Sequence, residues 1–576
     1  MYKLRRFLTD YKKECIIGPL CKLFEAILEL FVPIVMARII DIGIASGDSA
    51  YVWKMGGLLV LLAVMGWSSA MFTQYFASKA SQGAGTKIRS ALFAHINTLS
   101  HAELDRLGTP SLITRITNDT NTVQQSVAMM IRLLTRAPFI IVGSLVMAMT
   151  INLRLSLIFF GASLLIALTL YLVMTKSVPI FSAMQKKLDR IGLIARENLS
   201  GNRVIRAFSK QKTECVRVDA ATDDLAKTSV RVSVLSALLS PVTYAVTDVA
   251  IILIVWFGAV NVNAGEMRTG DIVALVSYMT QILLAMIVVA NLVNLMTRTS
   301  ASAKRINEVF ETEPSVKERA AGDIVTDPSA PKIAFEHVSF NYSDDGDEEL
   351  SDISFSVPSG STVGVIGGTG CGKTTLINLI PRFYDVTSGC VRVDGADVRD
   401  YPFAQLRKKI AVVPQQSVLF SGTIRDNLRW QDKNASDEDI IRALKSAQAW
   451  EFVEKLPKGL DSRVEQGGKN FSGGQRQRLC IARALVKTPD ILILDDSFSA
   501  LDLATDAALR RALREHTRET TVLIVSQRVS TVRTADIILV LNNGLLDGCG
   551  THEELYTRSQ VYRDICLSQQ TEEVAK

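Results

Sequence analysis

Charged and uncharged positions divide this chain of 576 residues into two halves of different character. In the first half, three runs without formal charge are each bracketed by single charged residues: 55–78, 155–175 and 272–297. Each run is long enough to cross about 30 Å of hydrocarbon as a helix. Weaker runs fill the gaps, near 16–42, 133–153 and 234–262. One such run could be a buried core helix, but six together predict a membrane domain of about six helices.

The connections between these runs alternate between short and long. The short ones, 43–51, 151–154 and 261–271, hold few basic residues, whereas 79–136 and especially 176–231 are long and basic. Because basic loops stay on the cytoplasmic side, the long loops and both termini are predicted to be cytoplasmic. Apolar residues recur three and four positions apart in the long loops, which predicts helices that extend beyond the membrane and turn back.

Changes in composition along the chain predict four segments. Residues 1–14 are basic but lack the apolar core and cleavage site of a signal peptide, so they are expected to form an interfacial lead-in helix. The transmembrane domain is then expected over 15–311. Residues 312–332, with three prolines and several charges, predict a linker. From Ile333 onward strands and helices alternate, which predicts an α/β domain over 333–576.

A few charges fall inside the predicted spans. Glu25 and Glu29 lie four residues apart in the first span, and Asp248 lies within the fifth. Charge inside a membrane is costly, so these side chains are expected to face the protein interior or a water-filled cavity. They could attract cationic, amphipathic solutes. Alternatively they form ion pairs within the protein, for which Lys22 offers Glu25 a partner.

Composition narrows the function classes without choosing one. The chain is 48% hydrophobic yet 21% charged, as expected for an apolar part joined to a soluble part. The net charge of +6 is explained by basic loops beside a membrane, and we expect no nucleic-acid partner. The eight cysteines are scattered without a C-x-x-C pair, so they are expected to be reduced thiols and not a disulfide framework or metal site.

The clearest chemical signal is a phosphate-binding loop between an apolar run, 362–366, and a helix-like run, 375–380. Glycines in such a loop let backbone N–H groups converge on phosphate oxygens, and the start of the following helix adds partial positive charge. Lys373 is expected to reach the β- and γ-phosphates, and the Thr374 hydroxyl is expected to hold Mg²⁺. The loop has the pattern G-x-x-x-x-G-K-[ST] and consists of Gly367, Gly368, Thr369, Gly370, Cys371, Gly372, Lys373 and Thr374, followed by Thr375.

Further motifs follow in order, and with them nearly the whole chain resembles the exporters of the ATP-binding cassette (ABC) transporter family. The resembling stretches are Tyr342 after a short apolar run, Gln415 in 412–415, the signature-like 471–478, the Walker B-like 491–495, the D-loop-like 499–502 and, in the first half, 115–120. The resemblance implies a helical membrane bundle of type IV exporter kind with long cytoplasmic extensions, followed by an α/β P-loop domain. It also implies ATP and Mg²⁺ as cofactors and a bacterial plasma membrane location.

The same resemblance implies a role for each motif. Tyr342 stacks on adenine, while Gln415 and Asp495 join Thr374 at the metal, and Asp502 belongs to the D-loop. The signature residues Ser472, Gly473, Gly474 and Gln475 offer a second anion cradle at a helix start. In the family, two such domains hold ATP between one phosphate loop and the other chain's signature. This chain carries one membrane half and one cassette, so it is expected to work as a dimer.

Two departures from the family pattern fall on residues of the hydrolytic site. Asp496 stands where the family usually has the glutamate that polarises the attacking water. Its side chain is one methylene shorter, which withdraws the carboxylate by about 1.5 Å, and a misplacement on the order of 1 Å can cost about 100-fold in rate. Gln527 stands where the family usually has histidine, and a glutamine can neither carry charge nor shuttle a proton.

These departures favour a subunit that binds ATP without fast turnover and lends its signature to a partner's catalytic site. The chain thus looks like the degenerate-site half of a heterodimeric exporter, whose partner has the glutamate and histidine and whose substrates are small, amphipathic and drug-like. A homodimeric exporter or lipid flippase with slow hydrolysis at two identical sites is the alternative. A regulatory or channel-like membrane protein that uses ATP as a ligand is a third.

Overall fold

The computed structural model describes residues 2–318, 326–327, 329–342, 346 and 348–574, and it divides into two compact units. Unit 1 comprises residues 1–97 and 109–311, and unit 2 comprises 98–108 and 312–576. Part of the predicted linker, at 319–325 and 328, lies outside the described residues.

Unit 1 is helical throughout its described residues. A 3₁₀ helix over Tyr2–Tyr11 leads directly into the first long helix, and short π-helical stretches at Ile39–Ile44, Arg115–Asp119 and Met130–Leu134 interrupt the others. The α-helices are α1 (Lys12–Arg38), α2 (Ser49–Ile96), α4 (Thr109–Thr114), α5 (Thr120–Met129), α6 (Arg136–Ile151), α7 (Leu153–Ser200), α8 (Asn202–Ala207), α9 (Gln211–Ala237), α10 (Leu239–Asn263) and α11 (Thr269–Glu311), with α3 (His101–Leu107) belonging to unit 2.

The length and composition of these helices confirm the predicted helical membrane fold. Five helical stretches of the described chain are long and apolar enough to span a membrane: 49–96, 109–151, 153–200, 211–263 and 269–311. The helix α1 completes a bundle of about six. Its core is built from α7, α10 and α11, where Phe159, Ile166, Ile254 and Leu275 are fully buried. The hydroxyl of Tyr278 on α11 donates to the carbonyl of Leu30 on α1 at 2.6 Å, which ties the first helix to the last.

Of the three acidic residues singled out above (Glu25, Glu29 and Asp248), two have ion-pair partners. The Lys22 ammonium donates to both carboxylate oxygens of Glu25 at 2.7 Å, and Arg136 donates to those of Glu29 at 2.7 and 3.0 Å. For these two residues the ion-pair explanation therefore holds better than the solute-cavity explanation. Asp248 is different: it is exposed on α10, and within the described chain its carboxylate has no hydrogen bond or ion pair.

The segment 115–120, which resembles the first coupling segment of exporters, belongs to unit 1 and contacts helix α11. Asp119 accepts from the Arg305 Nε at 2.8 Å, and Arg115 contacts both the Arg305 carbonyl and the Glu308 carboxylate at 3.0 Å. Both partner residues, Arg305 and Glu308, lie on the last turns of α11. The resemblance of 115–120 to a coupling segment stays a prediction, and the part of this loop that belongs to unit 2 is 98–108.

Unit 2 is an α/β domain with two main sheets. Its strands are β1 (Ile333–Phe340), β2 (Leu350–Val357), β3 (Thr362–Gly367), β4 (Ser388–Val393), β5 (Ala396–Asp397), β6 (Ile410–Val413), β7 (Gly422–Thr423), β8 (Arg463–Val464), β9 (Ile491–Asp495), β10 (Thr521–Val525), β11 (Ile537–Asn542) and β12 (Leu545–Gly550). One sheet has the order β2-β1-β4-β5 and the other β12-β11-β3-β10-β9-β6.

Helices surround and connect these strands. Besides α3, they are α12 (Lys373–Leu379), α13 (Phe403–Lys409), α14 (Ile424–Leu428), α15 (Asp437–Ser446), α16 (Trp450–Glu454), α17 (Gly473–Leu485), α18 (Leu503–His516), α19 (Val529–Val532), α20 (His552–Arg558) and α21 (Gln560–Val574).

Strand order explains how distant motifs meet. Parallel pairing joins β3 to β10 and β10 to β9, with Val525 opposite both Val365 and Asp495. Ligands bind at the carboxyl ends of such parallel strands. The residues that follow β3, β9 and β10 are the phosphate loop, Asp496 and Ser526-Gln527, so the sheet brings all three to one edge.

Candidate nucleotide-binding site

The phosphate loop has a backbone that requires glycine at several positions. Gly370 and Gly372 have φ values of 80° and 92°, which side chains other than glycine rarely adopt. A Cβ at Gly367 would collide with the carbonyl oxygen of Leu541 on β11. In contrast, a Cβ at Gly368 or Gly370 would meet nothing within 4 Å, so this side of the loop is an open cradle into which a phosphate fits.

Lys373 is the first residue of helix α12 and lies next to the cradle. Its ammonium donates to the carbonyls of Gly367, at 2.9 Å, and Gly368, which holds the side chain folded over the loop. Cys371 is buried, with its sulfur 3.6 Å from the same ammonium. The positive charge is therefore held where the glycine backbone is most open.

Thr374 and Asp495 form an oxygen-rich corner suited to Mg²⁺. The Thr374 hydroxyl donates to the Asp495 carboxylate at 3.1 Å, and Asp495 is buried at the end of β9. Burial, reinforced by the neighbouring Asp496 carboxylate, raises the pKa of Asp495. Gln415 lines the same cleft, so the three residues predicted at the metal lie together.

The backbone at Asp496 is fixed from several sides. Asp496 has φ of 43°, in the left-handed region, and its N–H donates to the Val525 carbonyl at 3.1 Å. Its own carbonyl accepts from the Ser499 hydroxyl at 2.9 Å and from the buried Gln477 side chain at 3.3 Å. The main chain therefore cannot move forward to compensate for a side chain that is one methylene too short.

Asp496 and Gln527, the residues that differ from the family pattern, line one cleft. The cleft has a volume of about 200 Å³ and combines the phosphate loop with Gln415, Asp495, Asp496, Ser526 and Gln527. Sequence reasoning did not identify Glu349 or Ser526, which also line it, because neither belongs to a motif. Lys373 therefore shares its cleft with a short carboxylate, Asp496, and an uncharged amide, Gln527.

Tyr342 forms an aromatic wall beside the loop. Its ring packs edge-on against Phe340 and Tyr384, with centroids 4.9 and 5.2 Å apart, and its hydroxyl lies 3.0 Å from that of Thr375. Burial raises the pKa of the Tyr342 hydroxyl. The ring nonetheless remains 48% exposed, which leaves a face free for a base to stack on.

The short helix α3 reaches this wall within unit 2. Its start is capped by Ser100 and Glu103, which bond each other's backbone and also accept from the N–H groups of Val316 and Ser315. His101 packs on the Phe383 ring at 4.7 Å, and the Tyr384 hydroxyl donates to Asp105 at 3.2 Å. Tyr384 thus joins α3 to Tyr342, a link that no sequence motif indicated.

The signature residues 472–475 are not among the described residues that line this cleft. Ser472 is the N-cap of α17. Its hydroxyl accepts from the Gln475 N–H at 3.3 Å, and its own N–H donates to the Gln475 side-chain oxygen at 2.9 Å. Ser472 and Gly473 are exposed, and the described residues that line the cleft do not include 472–475 or Asp502. Asp502 caps α18 through Thr505 at 2.9 Å. The helix start at Ser472 is therefore exposed and lies outside this cleft.

Comparison with known proteins agrees with this architecture. Residues 15–286 match the family described as the ABC transporter transmembrane region, and residues 350–499 match the one described as ABC transporter. The chain is 38% identical over 569 residues to the uncharacterized ABC transporter ATP-binding protein YfiB of Bacillus subtilis, covering 99% of this chain and 98% of that protein. It is 28% identical over 564 residues to the ATP-dependent lipid A-core flippase of Vibrio parahaemolyticus, covering 98% and 96%.

The fold also matches a solved structure of a bacterial Atm1-family ABC exporter with ATP bound, at a TM-score of 0.79 and 24% identity over 98% of both chains. A helical membrane bundle joined to a P-loop domain defines an ATP-driven membrane transporter. The chain belongs to the ABC transporter family and is a half-transporter of its exporter group. ABC exporters work as dimers in a lipid bilayer and couple ATP hydrolysis to transport.

Proposed function

We propose that this chain is one half of a heterodimeric exporter in the bacterial plasma membrane, with both termini in the cytoplasm. Its own cleft retains ATP, while its signature completes the partner's catalytic site. The observation that carries the proposal is that Asp496 and Gln527, the two departures from the family pattern, line the same cleft. Both act on the position of the attacking water, so together they slow hydrolysis without weakening the phosphate cradle.

The binding residues support retention of nucleotide. Lys373, Thr374 and Asp495 keep the contacts that phosphate and Mg²⁺ need, and Tyr342 keeps its exposed ring. The intact, exposed N-cap at Ser472 supports the second half of the proposal, since it can meet a phosphate only from another chain. Occupancy of both interfacial sites and hydrolysis at one of them would then drive the change between two arrangements of the membrane helices.

A homodimeric exporter with slow hydrolysis is the second candidate, and Asp496 favours it because a carboxylate is retained. The two candidates differ in the ATPase activity of the purified chain in lipid nanodiscs, alone and with whatever half-transporter copurifies from native membranes. We expect rapid turnover only in the mixed complex. Rapid turnover by this chain alone would contradict the heterodimer, and Lys373→Ala in the same preparation tests whether any activity belongs to this chain.

The exported solutes are proposed to be lipophilic, with a preference for cations that depends on Asp248. Asp248→Asn is expected to weaken ATP-dependent uptake of ethidium into inverted vesicles by about tenfold in apparent affinity, since a contact with a charged group contributes roughly 1.5–3 kcal/mol. Uptake of a neutral dye should not change. The control is Asp219→Asn, an exposed acid on α9 beyond the predicted span. Equal losses for both dyes would contradict a role in cation preference.

A further inference from the structure

The loop that carries Gln527 is held by the last helix of the chain. The helix α21 packs through buried Tyr562 and Cys566 into a cluster with Val529 and Val532 of α19. The Tyr562 hydroxyl also lies 2.8 Å from the His552 Nδ1, which fixes this part of α21 against the start of α20. Gln569 lies seven residues after Tyr562 and three after Cys566, so it shares their helix face and points toward the same loop.

The Gln569 amide bridges two main-chain groups on either side of Arg528. Its Nε2 donates to the Gln527 carbonyl at 2.7 Å, and its Oε1 accepts from the Val529 N–H at 2.8 Å. A carbonyl can only accept and an N–H can only donate, so this pairing also settles which way the amide faces. Val529 is the first residue of α19, whose N–H has no partner within the helix. Gln569 therefore caps α19 from a distance of 40 residues along the chain.

Other bonds fix the rest of the same loop. The Ser526 N–H donates to the Val365 carbonyl at 3.1 Å, and the Ser526 hydroxyl accepts from the Arg528 N–H at 3.0 Å. Gln569 adds two further hydrogen bonds, to the Gln527 carbonyl and the Val529 N–H. Gln527 itself is exposed and lines the cleft, so its side chain depends on this backbone for its direction.

We propose that Gln569 is a positioning residue for ATP at this site: through the Gln527 backbone, the C-terminal helix sets how firmly the γ-phosphate end of the cleft is closed. This inference rests on the proposed function, because the property that Gln569 sets is the retention of ATP and not its turnover. Gln569 is not among the described residues that line the cleft. It acts by keeping the Gln527 amide directed into the cleft, where that amide can donate to a phosphate oxygen.

Retention is measured on the full complex from native membranes. The complex is loaded with 8-azido-[α-³²P]ATP, chased with unlabelled ATP for different times and then irradiated. The amount of label bound to this chain is measured at each time. Gln569→Ala removes both hydrogen bonds to the loop, so we expect the label to leave about fivefold faster or more. Gln569→Glu keeps the acceptor for Val529 but turns an anion toward the Gln527 carbonyl, and it should be at least as damaging. Ser568→Ala, an exposed neighbour on α21, is the matched control.

A double-mutant cycle separates positioning from a general loss of stability. If Gln569 acts through Gln527, then Gln569→Ala should have no further effect on retention once Gln527→Ala is present. Hydrogen exchange gives a second measurement, because the Val529 N–H should exchange faster in Gln569→Ala while the Ser526 N–H stays protected. Additive effects of the two substitutions, or unchanged retention in both Gln569 variants, would overturn the proposal. The identity of the label, triphosphate or diphosphate, tests the proposed function separately.

Discussion

Ser472→Ala should lower ATP turnover by the assembled transporter about 100-fold, although Ser472 lies outside this chain's own cleft. In the proposed heterodimer the start of α17, with its hydroxyl and N–H groups, would stabilise charge on a phosphate held by the partner. Removing one such donor from a catalytic site costs on the order of 100-fold in rate. Lys373→Ala, which empties this chain's own phosphate cradle, should cost clearly less if hydrolysis occurs at the other site, as proposed. Both rates are measured as phosphate release from the copurified complex in nanodiscs.

The chain offers a close control for the structural part of this substitution. Ser436 caps α15 with the same reciprocal arrangement, through Asp439, that Ser472 forms with Gln475. Each replacement by alanine removes an N-cap worth about 1 kcal/mol. Ser436→Ala should therefore reproduce the loss of stability and not the loss of turnover. The account would fail if Lys373→Ala silenced the complex while Ser472→Ala did not.

Restoring the family residues, Asp496→Glu with Gln527→His, should turn this chain's cleft into a hydrolytic site. The added methylene advances the carboxylate by about 1.5 Å, and recovering a misplacement of this order can raise the rate about 100-fold. Because Gln477, Ser499 and Val525 hold the Asp496 backbone, the longer side chain should extend into the cleft and not displace the loop. The readout is conversion of ATP to ADP on this chain, followed by photolabelling as above.

Asp496→Asn is the matched control for that gain. It keeps the length and, at φ of 43°, the left-handed conformation that asparagine tolerates well, but removes the carboxylate. In a retention site it should change turnover of the complex little, whereas in a slow homodimeric site it should abolish the remaining activity. Glutamate is less suited to positive φ, so the thermal midpoint of Asp496→Glu must be checked alongside its rate. A properly folded double variant with no gain would mean that the two departures are not the cause of slow turnover.

The parts of the site that the sequence could predict are those set by local conformation. The phosphate loop is one, since glycines at 370 and 372 allow the positive φ values on which the cradle depends. The resemblance of the later motifs to those of ABC exporters was enough to predict Asp495, Asp496 and Gln527 at one site. The shorter side chain of Asp496 could be predicted from its residue type alone, because side-chain length does not depend on the fold.

Contacts between distant parts of the chain could not be predicted in this way. Gln569 reaches Gln527 over 42 residues and Glu29 reaches Arg136 over 107, and neither pair carries a signal in spacing or composition. The hold on the Asp496 backbone by Gln477 depends on how α17 packs against β9. Similarly, the contacts of Asp119 and Arg115 with the end of α11 depend on tertiary packing and could not be predicted from the sequence.

The central claim is that this chain's own cleft keeps ATP while its partner hydrolyses. The most direct measurement is the fate of nucleotide on each chain during turnover. The copurified complex is allowed to cycle with 8-azido-[α-³²P]ATP, then irradiated and separated by chain, and the bound label is identified by chromatography. The account predicts triphosphate on this chain and diphosphate on the partner. Diphosphate on this chain, in amounts equal to those on its partner, would contradict it.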